Sequence, residues 1–169
     1  ADRRSFFFFV VFLFLSAMSG LVMSNNLLYM YTFWEITSLC SFLLIGYSKT
    51  NDAIHNSCKA LWMNLLGGLA FALAIVYLGE MFYTVELSQL IALGRSGLPV
   101  ELVVALLVFC GFTKSAMMPF SGWLLGAMVA PTPTSALLHS STMVKAGVFL
   151  IIKLAPLLGN NHAGIMAML

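Results

Sequence analysis

Residues 111–145 read GFTKSAMMPFSGWLLGAMVAPTPTSALLHSSTMVK, and the rest of the chain is organised around them. Within a sequence that is otherwise apolar, this stretch places Lys114, Pro119, Pro131, Pro133, His139 and Lys145. A charged amine costs at least a few kcal/mol at the centre of a bilayer, so an ionisable group inside a spanning segment is a functional candidate by default. Working backwards, the apolar run starts near Leu98-Pro99 and continues to about Val129. At 1.5 Å per residue this is roughly 48 Å, longer than a hydrocarbon core of about 30 Å. Pro119 lacks a backbone donor and clashes with the preceding turn. The expectation is two half-helices, about 99–117 and 120–129, with the helix break at Pro119 and Lys114 near the middle of the whole segment.

Composition sets the class. The chain of 169 residues is 61% hydrophobic and 8% charged, with mean hydropathy +0.99. Soluble domains carry roughly 25% charged residues, so this is an integral membrane protein. The net charge is +2 and the basic residues are scattered, which argues against a nucleic-acid partner. Cys40, Cys58 and Cys110 lie far apart in apolar surroundings. Without a CxxC pair they read as small buried hydrophobes and give no metal site or disulfide framework. GxGxxG, P-loop, HExxH and haem CxxCH patterns are absent from the sequence, so no cofactor is expected and no redox chemistry within this chain.

Apolar spans of about 20 residues mark the other crossings. They fall at Phe6 to about Met23, Leu27–Tyr47, about Ala53–Leu78 with Asn51 or Asp52 as its cap, and about Thr134–Ala155. Gly159–His162 reads as a loop, after which a further helix starts. The fold class is therefore all-α: a polytopic transmembrane bundle of about five spanning helices, one of them broken. Residues 1–169 form a single transmembrane domain, read as part of a longer protein. Within it, residues 84–94 form a short surface helix whose Glu86 and Gln89 face away from Leu87, Leu90 and Ile91. Arg3, Arg4, Lys49 and Lys59 lie towards one side and Arg95 towards the other. That asymmetry puts the amino terminus in the cytoplasm of a cell whose cytoplasmic membrane holds the protein.

Four residues carry the expected proton chemistry. Glu35 lies about eight residues into the second helix and shares a face with Tyr31 and Ser38 at i, i+4 and i+7 spacing. Burial disfavours a charged lysine while a nearby carboxylate favours it, so a Lys–Glu pair that forms and breaks can load and release a proton. Freed carbonyls at a helix break admit water at membrane depth. His139 titrates near neutrality and shares a stripe with Ser135 and Thr142, with Lys145 beyond. Lys59, Ser135 and Thr142 are secondary candidates.

Two runs carry a resemblance. They are FWEITSL at 33–39 with SFLLIGY at 41–47, and the 113–148 segment holding Thr113-Lys114-Ser115-Ala116, Pro119-Phe120, Ala130-Pro131-Thr132-Pro133, Leu138-His139 and Thr142-Met143-Val144-Lys145-Ala146-Gly147-Val148. The chain resembles the antiporter-like subunits shared by respiratory complex I, Mrp sodium/proton antiporters and energy-converting membrane hydrogenases. ALWMNLLGG at 60–68 and PFSGWLLGAMV at 119–129 look most like the Ech-type hydrogenase subunit, and LHSSTMVK at 138–145 also resembles the large Mrp subunit. The resemblance implies that Glu35 and Lys114 form the ion pair of an inlet half-channel and that His139 relays protons onward. It implies the first copy of an inverted repeat. Met117-Met118 departs from the family, which commonly has a glutamine after Ser-Ala.

The function expected from this is proton translocation in a redox-driven pump, with hydrogenase or quinone-reductase subunits as partners and protons, alternatively Na+, as cargo. The alternatives are a Mrp-type cation/proton antiporter subunit and a structural membrane scaffold.

Overall fold

The computed structural model describes residues 2–129, 135–136 and 143–158. Its helices are α1 (Asp2–Met23), α2 (Leu27–Ile45), α3 (Asn51–Phe82), α4 (Leu87–Arg95), α5 (Glu101–Lys114), α6 (Gly122–Gly126) and α7 (Met143–Leu158), with 3-10 turns at Gly46–Ser48 and Ala127–Val129. By length and composition, Arg4–Met23, Leu27–Ser48 and Asn51–Phe82 are each able to cross a membrane. The expected Pro131–Pro133 turn, His139, Thr142, the 159–162 loop and the final helix start lie outside the described residues.

Helix α3 is the axis of the bundle. It packs along α2 on one side and α5 on the other, while α1 covers α2 and α7 covers α5. Its cap differs from expectation: the Thr50 hydroxyl accepts from the Ala53 amide at 3.2 Å. Asn51 and Asp52 therefore fall inside the first turn, where Asp52 complements the positive end of the helix dipole. Helix α2 is capped by Asn26, whose side-chain oxygen accepts from Leu28 N at 2.8 Å.

The α1–α2 and α3–α4 connections clasp one another. Leu27 N donates to Val85 O at 2.8 Å and Leu87 N to Asn25 O at 2.9 Å, and Asn25 Nδ2 adds a bond to Ser88 Oγ at 2.9 Å. This pairing fixes both loops to the same end of the bundle. Helix α4 then lays Leu87 and Leu90 inward and leaves Glu86 and Gln89 exposed, the face division expected for residues 84–94. On the outside, Phe6, Phe8, Phe9 and Phe12 of α1 are exposed, as an apolar solvent requires of a spanning helix.

The break in the long segment starts earlier than Pro119. Helix α5 ends at Lys114, and Ala116 adopts the left-handed conformation at φ 52°. Met117 N reaches back to Phe112 O at 3.1 Å and Ala116 N to Thr113 O at 3.4 Å. That pair of bonds is a Schellman termination, with alanine where glycine is usual. The carbonyls of the last turn are thus satisfied before the proline is reached, and Pro119 falls in the connecting turn. Lys114 is consequently the last helical residue of α5 and lies near the middle of the broken segment as a whole.

Candidate functional site

Lys114 is 0% exposed. Its Nζ donates to Ser38 Oγ at 2.7 Å and to Trp34 O at 3.2 Å, and it lies 5.0 Å from the centroid of the Trp34 ring. The Ser38 hydroxyl in turn donates to Trp34 O at 3.1 Å. The amine thus has two hydrogen bonds and an aromatic face, which offset part of the cost of burying it, although neither hydrogen-bond partner carries an opposite charge. In this conformation the amine takes a carbonyl and a hydroxyl of α2 as its hydrogen-bond partners, with the expected partner Glu35 nearby but not bonded to it. Register is the reason: α5 stops at Lys114 level with the turn from Trp34 to Ser38, and Ser38 fills the amine's reach.

Glu35 is half-buried, near enough to Lys114 for each to feel the other's charge, and its Oε1 is buried without a hydrogen-bond partner. The carboxylate packs against α3 where two consecutive glycines stand. A Cβ on Gly68 would overlap Glu35 Oε1, and one on Gly67 would overlap Thr113 Oγ1. The glycine pair thus lets α3 approach α2 and α5 at the level of the charged groups. Gly68→Ala is expected to displace the carboxylate and lower ion transport by the assembled protein about tenfold, as misplacement of a reacting group does. Gly79→Ala on the same helix meets nothing within 4 Å and is expected to leave transport unchanged. Transport assays on both variants, with assembled protein quantified, check the contrast.

The break is held by Trp123. Its indole Nε1 donates to Thr113 O at 3.0 Å in a buried setting, tying α6 back to the end of α5. Beyond it, α5 and α7 meet closely: Ser115 Oγ bonds Val144 O at 3.0 Å, and a Cβ on Gly147 would strike Ser115 Oγ and Gly111 O. Ser41, one turn past Ser38, donates to Thr37 O at 2.6 Å and touches Met143 Sδ at 3.0 Å. The start of α7 therefore sits beside the lysine layer.

The remaining candidates separate. Lys145 is exposed on α7, and among the described residues no hydrogen bond joins it to Lys114. Lys59 is exposed too, its Nζ 3.4 Å from where a Gly122 Cβ would stand, beside α6 on the far side of the break. Ser135 is half-buried and Pro119 exposed. His139 and Thr142 lie outside the described residues. Cys40 and Cys110 are buried as expected, but Cys58 is exposed. Sequence reasoning missed Trp123 and the Gly67–Gly68 pair. The glycine pair was the readable signal, since two glycines inside an apolar helix point to close backbone approach.

Comparison with known proteins places the fold in a family. The family model described as NADH:quinone oxidoreductase/Mrp antiporter, TM, matches residues 24–169. The chain belongs to this family. It is an antiporter-like integral membrane chain, homologous to Mrp antiporter subunits. A Staphylococcus haemolyticus protein assigned as antiporter subunit mnhA2 is 44% identical over 163 residues, covering 94% of this chain and 20% of that protein. The Staphylococcus aureus counterpart is 42% identical over 166 residues, covering 95% of this chain and 21% of its own length. The chain thus spans about a fifth of these relatives. Among solved structures, the Mrp complex from Dietzia sp. DQ12-45-1b superposes with a TM-score of 0.81 at 35% identity, over 86% of this chain and 16% of that one. The membrane-bound sulfane sulfur reductase, an archaeal respiratory membrane complex, shares the fold with a TM-score of 0.80 at 24% identity, over 87% and 31%.

Proposed function

We propose that this chain is part of a Mrp-type cation/proton antiporter subunit and carries a proton half-channel built on Glu35 and Lys114. The observation that carries the reading is a fully buried lysine at a helix break, held by Ser38 and the Trp34 carbonyl with Glu35 beside it. In this arrangement Lys114 has two stations. Against Ser38 and Trp34 O it is stabilised as an ammonium without its carboxylate; turned towards Glu35 it neutralises that charge. A cation arriving near Glu35 would favour one station over the other, and the proton moves on the change.

The antiporter reading is favoured over the redox-driven pump because the 44% identical relative is assigned as an antiporter subunit, whereas the respiratory complex resembles this chain at 24% identity. The partners are other membrane subunits of such a complex, and the cargo is protons exchanged for Na+. From Lys114 the polar line continues through Ser41 to the start of α7, with His139 and Lys145 as onward stations and Lys59, Ser135 and Thr142 as secondary candidates. The charge asymmetry of the loops supports a cytoplasmic amino terminus in a prokaryotic cell membrane.

The test is a sodium pulse applied to vesicles containing the complete complex, followed with a pH-sensitive dye. Wild-type vesicles are expected to move protons against the sodium gradient, and Glu35→Gln is expected to lower the rate about a hundredfold, the scale of losing a positioned acid–base group. Proton movement that ignores sodium and follows electron donor addition instead would favour the redox-driven pump.

A further inference from the structure

The start of α1, the end of α2 and the first turns of α3 do not close fully on one another. They wall a cavity of about 450 Å³, within the range of about 300–1,000 Å³ that small-molecule sites occupy. Phe6, Phe42, Leu43 and Ile54 supply apolar walls, and Ser57 and Lys49 are among the polar residues. The Ser57 hydroxyl proton is already engaged, since it is donated to Ile54 O at 2.8 Å. A buried water needs two to four polar partners, so a chamber with these walls takes hydrocarbon in preference to water. The long apolar run of α1 begins at Phe6, and both Phe6 and Ile54 are exposed. The cavity therefore opens at the edge of the lipid layer.

One end of it is charged. Among the described residues, Lys49 is the only charged group lining the cavity, and it is exposed in the link between α2 and α3. Its backbone is left-handed at φ 55°, a conformation that glycine or asparagine adopts at less cost. Arg4, also exposed, stands one helical turn before Phe7, whose ring meets that of the cavity residue Tyr47 at 5.1 Å. The carboxylate nearest in sequence, Asp52, belongs to the first turn of α3 and does not line the cavity. An apolar chamber with a cation at its mouth matches a molecule with a hydrocarbon chain and a negative head. We infer that this cavity binds one anionic phospholipid, with an acyl chain between Phe6, Phe42 and Ile54 and the phosphate on Lys49. Basic pockets between spanning helices hold such headgroups by the same attraction. A zwitterionic lipid fits less well, because its own ammonium competes with Lys49 for the phosphate. The bound lipid ties the start of α1 to α2 and α3. The site is separate from Glu35 and Lys114 and does not depend on which ion the chain moves.

The test uses the complete complex in phosphatidylcholine vesicles carrying a trace of phosphatidylglycerol with a photoactivatable diazirine in one acyl chain. Illumination and peptide mass spectrometry are expected to place label on residues 42–54. Lys49→Gln is expected to lower that label about fivefold, the scale of one lysine's attraction for anionic lipid, and Lys49→Arg to keep most of it. Ile54→Trp fills the mouth and is expected to remove the label from Phe42 and Leu43. Phosphatidylcholine carrying the same diazirine is expected to label the stretch about fivefold less than phosphatidylglycerol. Equal labelling by the two lipids in the wild-type complex overturns the proposal without any variant. Label that neither Lys49→Gln nor Ile54→Trp changes also overturns it. Label elsewhere on the wild-type complex but none on residues 42–54 shows that another protein segment fills the cavity, and the lipid site falls.

Discussion

Replacing Lys114 with methionine is expected to reduce proton movement about a hundredfold or more, because it removes the buried amine of the Glu35–Lys114 switch, on the scale of a lost acid–base group. Methionine fills nearly the same volume, and the two α2 groups it deserts remain bonded to each other, since Ser38 Oγ donates to Trp34 O. The structural cost is therefore that of one charge-assisted pair of bonds, about 1.5–3 kcal/mol, partly returned because a buried charge no longer needs compensation. A scaffold role for Lys114 makes the opposite forecast, namely loss of assembly with transport per assembled complex unchanged. Proton flux normalised to assembled protein, read beside the melting temperature, separates the two. Lys114→Arg is expected to assemble poorly, because a planar guanidinium fork does not fit the single-point geometry of Ser38 and a backbone carbonyl.

The largest stability effect is expected at Trp123. Its side chain is fully buried and bridges the break through Thr113 O. Trp123→Ala is expected to cost about 3–5 kcal/mol, the usual range for truncating a buried tryptophan. Trp123→Phe keeps most of the ring and removes the donor, so its loss should be about 1–3 kcal/mol. Thermal unfolding of the detergent-solubilised complex orders the series as wild type, Phe, Ala. If Phe and wild type melt together, the indole–carbonyl bond does not hold α6 against α5.

Much of this architecture is legible in the residues alone, for reasons that are physical. Hydrophobic length marks α1, α2 and α3, the polar turn at 24–26 separates the first two, and the alternation of Glu86 and Gln89 with Leu87 and Leu90 gives α4 its inward face. Lys114 and Glu35 announce themselves because ionisable groups inside apolar runs are rare. The position of the break is not legible. Pro119 is the visible breaker, yet α5 is terminated three residues earlier by a left-handed alanine, a conformation that sequence associates with glycine. The partner of Lys114 is also hidden, because it depends on how α2 and α5, whose bonded residues lie 80 positions apart, slide against each other. Ser38 looked like a neighbour of Glu35 and is in fact the acceptor for the lysine. The glycine pair becomes meaningful only once Glu35 is seen resting on α3. Thr50 caps α3 from outside the helix that Asn51 and Asp52 suggested.

The central claim is that Glu35 and Lys114 act as one switch although they are not bonded in this conformation. The most direct measurement is a double-mutant cycle on sodium-driven proton movement with wild type, Glu35→Gln, Lys114→Met and the double variant in the complete complex. Residues that act as a unit are strongly non-additive. The account predicts that the double variant moves protons no more slowly than the worse single variant. Rates that fall by the product of the two single effects would contradict it, since Glu35 and Lys114 would then serve separate steps.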